Sequence, residues 1–445
     1  MFKQKLNPVK TERVFGVSKD PVLSYVERTD VDGMFIEAIK TDKQVIVYGA
    51  SKQGKTSLVE KHLPYKENIL VSLTPKFQLI DIYKSILHAL GVEIVTETQR
   101  SQGSSSESSI SGRIKAMIPI IGSAEAGTAL KLKDEAETAR TFTPIEVNLE
   151  LPNDVAMVFK KTGTQKVVVL ENFHYLDEEI QKQFSFDLRS FQELGIRFVI
   201  LGVWREKNRL IQFNGDLLDR LIEVPVEPWS IDDFKRVVET GSKQLNVSFS
   251  PEMIEKLFTS AFDSIGVVQE LLKSVCLLAG VKETQEHLIS IVDMDFLQNA
   301  IKEKAQNYSA RHLRALEAIA EGRKTTNSPK SDDPKDMPLY LPYYTVKSFM
   351  NFDFADVIVG IKRNKLEEKI KEHHHRPQDV RAGDMSNLLY NFAKLQSEKS
   401  ISPPIFDYDK TTQTIRVIDS TFYFFLRNSD LDEVLRSIPD PTKRH

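Results

Sequence analysis

Cysteine is all but missing from this sequence. One residue in 445, Cys276, can build neither an intramolecular disulfide framework nor a cysteine-rich zinc module. Its setting, "LLKSVCLLAG", makes it a small core hydrophobe, and cysteine this scarce fits a reducing cytoplasm. Long apolar runs are lacking too. No stretch of about 18 apolar residues occurs, and the opening "MFKQKLNPVKTERVFG" has no secretory hydrophobic segment. These two absences predict a soluble, cytoplasmic protein without a membrane partner. An excess of charge is also wanting: 60 Lys and Arg against 63 Asp and Glu leave a net charge of -3. No global basic field therefore points to nucleic acid, and only local patches stay open. With 41% hydrophobic residues, the chain has the apolar content of a globular protein rather than a disordered one. Its length exceeds what one core organises, which predicts two or three domains.

The pattern along the chain is α/β. "KQVIVYGA" is a continuous apolar run ending in Gly49, the mark of a strand buried on both faces of a parallel sheet. After it come a helix over "SKQGKTSLVEKHL", the strand "NILVSL" and an amphipathic helix, "FQLIDIYKSILHALG", stopped by Gly91. From about Gln99 to Ser111 the chain turns Ser-rich and polar, predicting a flexible insertion over about 95–148 in which "RIKAMIPIIGSAEAGTALKLKDE" can form a hairpin or two. Strand and helix signals then alternate through "KVVVLE", "DEEIQKQFSFDLRSFQELG", "RFVILGVW" and "LIEVPV", which predicts a doubly wound parallel sheet flanked by helices. Ser230 can cap "IDDFKRVVETGSKQL", and from there to about Gln306 only helical patterns are found. The expected division is a sheet domain over 1–228, a helical lid over 229–306, and a third portion over 307–445 with a polar linker at about 322–338.

"GASKQGKTS", Gly49 to Ser57, has the order Gly, four residues, Gly, Lys, Thr between a buried strand and a helix. Inward-pointing amides of such a loop and the helix N-terminus cradle phosphates. Gly49, Lys52, Gln53, Gly54, Lys55, Thr56 and Ser57 are the candidate cofactor-binding residues. Lys55 would reach the β- and γ-phosphates of ATP, and the Thr56 hydroxyl would ligate Mg²⁺. Glu171, where "VVVLENFHYLDEE" turns from apolar to polar, is the second candidate metal ligand, holding Mg²⁺ through water. A helix N-cap is the other reading of Glu171, but the helix begins too far downstream. The strand between loop and acid suggests that the acid's strand stands next to the loop strand.

"GASKQGKTS", "VVVLENFHYLDE", "RFVILGVWRE" and "RLIEVPVEPWSIDDF", in this order and followed by helices, resemble the AAA+ superfamily. The similarity is nearest to its STAND signalling ATPases and to origin-recognition-type relatives with a C-terminal winged helix, and it covers roughly residues 12 to 300. The resemblance implies a P-loop ATPase sheet, a helical lid and a winged-helix-like C-terminal portion. It implies that "SYVERTDVDGMFIEAI" contacts adenine and ribose through Arg28 and Val31, with a surface arginine and a core valine as the competing account. Arg205 matches a strand-end sensor of the γ-phosphate, or else forms a structural ion pair. Arg220 matches an arginine that reaches into a neighbour's site in an oligomer. Pro225 and Pro228 fall where the family couples nucleotide to lid, or are ordinary loop punctuation. Lys55, Glu171, Asn172, Arg205 and Arg220 make up the implied catalytic set.

Two departures stand out. Asn172 occupies the slot of a second acid, and an amide orients water without taking its proton, so turnover should be slow. His174 or Asp177 is the other source of a base. Gln269 or its neighbours replace the lid arginine of motor-type relatives. The expected function is an ATP-binding, weakly hydrolysing regulatory switch that forms homo-oligomers on activation, with a separately encoded effector or sensor, in roles such as phage defence. The alternatives are a DNA-bound ATPase of the origin-recognition or transposition-helper kind, and a nucleotide-binding scaffold with vestigial hydrolysis.

The C-terminal portion reads as three helices and a two-stranded wing around "DKTTQT". Lys394, Lys399 and Arg416 lend it some basic character, insufficient to decide between DNA and protein contact. The run His373, His374, His375 points in different directions on any regular element, and a solvated loop is expected there rather than a metal site.

Overall fold

Every residue of the strand Gln44–Tyr48 is buried, a state that requires neighbours on both sides and helices on both faces. The computed structural model describes residues 8–95, 113–119, 130–131, 141–323 and 337–443, and supplies both. The five-stranded parallel sheet runs Ile69–Ser72, Val168–Glu171, Phe198–Gly202, Gln44–Tyr48, Leu221–Pro225. Val45 is in register with Val199 on one side and Ile222 on the other. The side chains alternate as period two demands. Ile46 and Tyr48 enter one core with the helices Leu79–Ala89, Pro152–Thr162 and Glu178–Glu193, while Val45 and Val47 enter another with Phe35, Leu58 and Val59.

This order corrects the expected adjacency of the acid. The strand carrying Glu171 pairs with Ile69–Ser72 and with Phe198–Gly202, and the latter stands between it and the loop strand. The strand "RFVILGVW" is legible in the sequence but its place is not, because sequence order does not give the order of parallel strands.

A four-stranded antiparallel sheet of Glu93–Val95, Arg113–Pro119, Thr141–Asn148 and Leu130–Lys131 extends the first core through Ile114, Ala116, Ile118 and Val147. The Ser-rich stretch up to residue 112 lies outside the described residues, as does most of the expected linker.

The lid contains the helices Ile231–Leu245, Pro251–Ala261 and Ile265–Leu278. Ser230 caps the first: its Oγ accepts from the Asp233 amide at 3.0 Å, and the Asp233 side chain returns the bond. The purely helical reading of this region needs correcting, because Val247–Phe249 and Ile289–Ile291 pair as short parallel strands. Three residues are too few to display a period. Val14 and Phe15, near the N-terminus, belong to the lid core rather than to the sheet domain. A Cβ at Gly241 would lie 2.2 Å from the Phe15 ring, so the helix leaves room for that ring by lacking a side chain.

One helix, Met294–Glu321, runs across the boundary expected at 306–307. It contains neither Gly nor Pro that would end it. Its first half packs Leu297, Ala300 and Ala305 into the lid, and its second half packs Leu316 and Ile319 into the C-terminal core. That core surrounds a three-stranded antiparallel sheet, with Thr414–Val417 between Ile361–Lys362 and Phe406–Asp409, one strand more than expected. The helices Leu341–Met350, Arg363–His373, Ala382–Tyr390 and Phe392–Glu398 cover it. The histidine run is not a solvated loop. His374 is buried against the Tyr344 ring, 4.2 Å between centroids, and the Tyr344 hydroxyl lies 3.0 Å from His375 Nδ1. Two neighbouring aromatic rings give these imidazoles an apolar seat that a local reading cannot reveal.

Candidate functional site

The chain leaves Tyr48 at the C-terminal end of the loop strand and turns at once. Gly49 has φ 149 and Gly54 φ 85, and Lys52 holds φ 56, a left-handed conformation unusual for a side-chain-bearing residue. A Cβ at Gly49 would meet Val226 at 2.7 Å, so the first glycine is required by close packing as well as by its dihedral. The helix Lys55–His62 starts directly after Gly54. Its first amides have no partner within the helix, and the amides from Gln53 to Ser57 donate to no other group among the described residues. They converge with the positive end of the helix on one spot.

Lys55 is buried at that spot, its Nζ donating to the carbonyls of Gly49 (2.9 Å) and Ala50 (2.6 Å). Burial pushes its pKa down to about 8, with the Glu227 carboxylate resisting the shift. The ammonium thus lacks a full counter-charge, which a phosphate would provide. Across the cleft, the Thr56 hydroxyl donates to Glu171 Oε1 at 3.2 Å, and the Tyr65 hydroxyl donates to the same oxygen at 2.7 Å. Burial and the Glu171 charge raise the Tyr65 pKa far above the usual range, so this phenol remains a donor and fixes the carboxylate. No group of three or more His, Cys, Asp or Glu side chains that could hold a metal occurs among the described residues. One hydroxyl facing one carboxylate beside a phosphate cradle nevertheless fits Mg²⁺, which takes its remaining ligands from phosphate and water.

The cradle opens into a cavity of about 420 Å³, bordered on its far side by Val26, Arg28, Trp229, Ile265 and Gln269. That volume and largely apolar wall suit a nucleoside. The Arg28 guanidinium lies 3.8 Å above the Trp229 ring and donates to the Val226 carbonyl at 2.8 Å. The Trp229 indole N–H is buried without a partner among the described residues. Val31 belongs to the sheet core, away from the cavity lining. Gln269, in the lid, accepts from the Gly16 amide at 3.3 Å and shares a hydrogen bond with Ser24, so the amide replacing the lid arginine ties the N-terminal strap to the lid.

Arg205 is not among the residues lining the cavity. Its guanidinium makes a two-pronged pair with Glu227, at 2.9 and 2.8 Å, and donates to the Tyr423 hydroxyl at 3.0 Å. Burial opposes its charge, yet the carboxylate prevails and raises its pKa. In this arrangement the ion-pair account describes Arg205. Glu227 Oε1 also accepts from the Ala50 amide at 2.8 Å, which joins the loop to Arg205 through one carboxylate. Arg220 starts the edge strand, at the end of the sheet opposite the loop, where it pairs with Glu193 at 3.1 Å and donates to Gln192 at 2.7 Å. It is not brought to the site of its own chain. Pro225 ends the edge strand in register with Tyr48, and Pro228 follows a cis peptide bond.

The first half of the loop is held by distant parts of the chain. Ser51 N donates to the Ile418 carbonyl at 2.8 Å, Ser51 Oγ donates to Asp419 at 2.9 Å, and Ser420 Oγ donates to the Ser51 carbonyl at 2.7 Å. From the lid, the Gly266 amide donates to the Lys52 carbonyl at 3.0 Å, and a Cβ at Gly266 would lie 2.6 Å from that of Lys52. Arg311, on the long helix, pairs with the same Asp419.

Sequence reasoning missed Glu227, Trp229, Tyr65 and the Ser51 to Asp419 link. Trp229 left a trace, as one of two tryptophans in the chain placed just past the last sheet strand. For the others no local pattern exists.

The loop, the strand order and the facing carboxylate define a nucleotide-binding P-loop fold, with one strand between loop strand and acid strand. No protein-family model matches the sequence, and no curated protein does. Among solved structures, the chain is similar in fold to the Walker-type ATPase PABY2304 of Pyrococcus abyssi. Identity there is 13%, coverage 91% of this chain and 96% of that one, and the TM-score 0.44. It is also similar to the ORC2 protein of Aeropyrum pernix in ADPNP–ADP complexes (12% identity, 97% and 99% covered, TM-score 0.42). The ORC1 protein of the same organism in complex with DNA gives 10% identity, 96% of both chains covered and a TM-score of 0.39. The assignment of the fold rests on this chain's own loop and sheet. No helix among the described residues is long and apolar enough to cross a membrane.

Proposed function

We propose that this protein is an AAA+-type, Mg²⁺-dependent ATPase that works as a slow switch, with its C-terminal portion reading the state of the phosphate loop. The observation that carries this reading is the set of free amides from Gln53 to Ser57, closing with Lys55 and Thr56 one end of a cavity sized for a nucleoside, with Glu171 hydrogen-bonded to the Thr56 hydroxyl. ATP would place its phosphates on these amides and Lys55 and its base against the Arg28 and Trp229 wall. Mg²⁺, held by Thr56 and through water by Glu171, would supply charge neutralisation at the phosphates. Asn172 lines the cavity where a second acid would stand, which favours slow turnover.

The switch reading draws on the contacts of Ser51 with Ile418, Asp419 and Ser420. Strand order in the C-terminal sheet, with the first strand at the edge and a hairpin following three helices, supports a winged helix. Its hairpin is engaged with the sheet domain through Lys410 to Glu178 (2.6 Å) and Asp407 to Arg209 (3.2 Å). Lys399 pairs with Glu321 at 2.6 Å and Arg416 donates to the Val359 carbonyl. These engagements favour protein contact over DNA. Arg220, exposed to about a third and paired with Glu193, would serve a neighbour only after that pair opens on oligomerisation.

The test is to purify the full chain and measure bound nucleotide, ATP turnover and oligomeric mass together, with and without duplex DNA. Mg²⁺-dependent ATP binding with turnover below about 1 per second, the low end of typical enzymes, is expected, unchanged by DNA. Absence of ATP binding rejects the reading, and strong stimulation by DNA replaces the switch with a DNA-bound ATPase.

A further inference from the structure

His174 borders two cavities at once. One is the nucleotide cavity, and the other is a cleft of about 700 Å³ between the sheet domain and the C-terminal portion. The chain reaches it through Asn172, whose φ of 61 turns the backbone sharply after the acid strand and leads into the single turn Phe173–Tyr175. Both ring nitrogens of His174 are buried and have no hydrogen-bond partner among the described residues. Its ring packs on that of Tyr175, with centroids 4.2 Å apart. Leaving buried polar atoms unpaired is unfavourable, so a residue in this state beside a cavity is completed by what enters it.

Asp177, the other candidate base, lines only the cleft. Burial, with the charges of Lys55 and Arg209 adding to it, holds the His174 pKa down to about 3. The imidazole is therefore neutral, with one nitrogen that donates and one that accepts. It is too weak a base to remove a proton from water outright, but suited to orienting one.

We propose that His174 is the positioning residue for the attacking water, accepting a hydrogen bond from it and supplying the orientation that a second carboxylate at Asn172 would give. The inference rests on the ATPase reading above. The oriented water's oxygen bonds to the γ-phosphorus as the bond to the β,γ-bridging oxygen breaks. ADP takes that electron pair; one of the water's protons passes to a γ-phosphate oxygen and the other stays on the attacking oxygen, giving ADP and dihydrogenphosphate.

The experiment compares the full chain with His174→Phe and His174→Gln, reading Mg·ATP affinity by calorimetry and single-turnover hydrolysis separately. His174→Phe keeps an aromatic ring against Tyr175 without its nitrogens. It is expected to bind Mg·ATP within about twofold of the parent and to hydrolyse it roughly 10–100-fold more slowly. His174→Gln, an amide that both donates and accepts, is expected to recover the rate to within about fivefold. His174→Ala carries the same comparison if the Phe variant melts early. Parental rates in the Phe or Ala variant overturn the proposal, as does a Gln variant no faster than Phe or Ala. Binding without any hydrolysis by the parent also overturns it while leaving nucleotide binding intact, whereas failure of the parent to bind Mg·ATP rejects the ATPase reading itself.

Discussion

The two halves of the phosphate loop differ in what holds them. From Gln53 to Ser57 the amides donate to nothing in the described protein and face a cavity. From Gly49 to Lys52 the backbone is tied on every side: Ala50 to Glu227, Ser51 to the segment Ile418 to Ser420, Lys52 to Gly266. A loop whose only task was to bind phosphate would not need the second set. The contrast separates binding from reporting. The free half meets the ligand, and the tied half connects the ligand's seat to the lid and the C-terminal portion.

The largest expected effect breaks the free half. Lys55→Ala removes the buried ammonium at the cradle and should weaken ATP binding by roughly 3–4 kcal/mol, several hundredfold in Kd, measured by calorimetry. On the tied side, Glu227→Gln leaves the half-buried Arg205 with a weakened partner. It should cost about 2–3 kcal/mol of folding stability, read from urea unfolding, with a much smaller change in ATP affinity. Equal effects of both substitutions on affinity would erase the distinction between the halves.

Acidity sharpens the comparison further. Burial sets the Lys55 pKa at about 8, so its charge is complete well below pH 8 and is lost as the pH rises through that value. A bound triphosphate favours the charged form. ATP affinity should therefore be insensitive to this group below about pH 7 and fall towards tenfold per pH unit above pH 8, with proton uptake on binding. Folding stability moves the other way. Above pH 8 the unfolded chain holds a proton that the folded chain has released, so this residue's contribution to stability improves with pH until the usual lysine range is reached. The smallest effect is expected of Ser51→Ala, which removes the side-chain bonds to Asp419 and to the Ser420 amide. A loss of about 1 kcal/mol, seen as faster proteolysis between the long helix and the C-terminal portion, with ATP affinity within threefold, would fit a reporting role.

The free half was legible in the sequence and the tied half was not. Gly49 to Ser57 carries its chemistry in consecutive residues, and the apolar run before it fixes a strand. Glu171 could be read from the change of polarity at a strand end, because burial and exposure alternate locally. Glu227 stands between two prolines with no local signal of its role, since its partners Ala50 and Arg205 come from two other strand ends. Ser51 and Asp419 are separated by 368 residues, a distance over which no periodicity speaks. The place of the acid strand is not legible for the same reason: parallel strand order is settled by crossovers rather than by neighbours in sequence. The short parallel pair in the lid escaped because three-residue strands have no pattern to read.

Hydrogen exchange of the loop amides, with and without saturating Mg·ATP, tests the central claim most directly. The account predicts that exchange at Gln53 to Ser57 slows by at least about tenfold on ATP addition, while Ala50 and Ser51 gain no protection. Unchanged exchange at Gln53 to Ser57, or protection confined to Ala50 and Ser51, would contradict it.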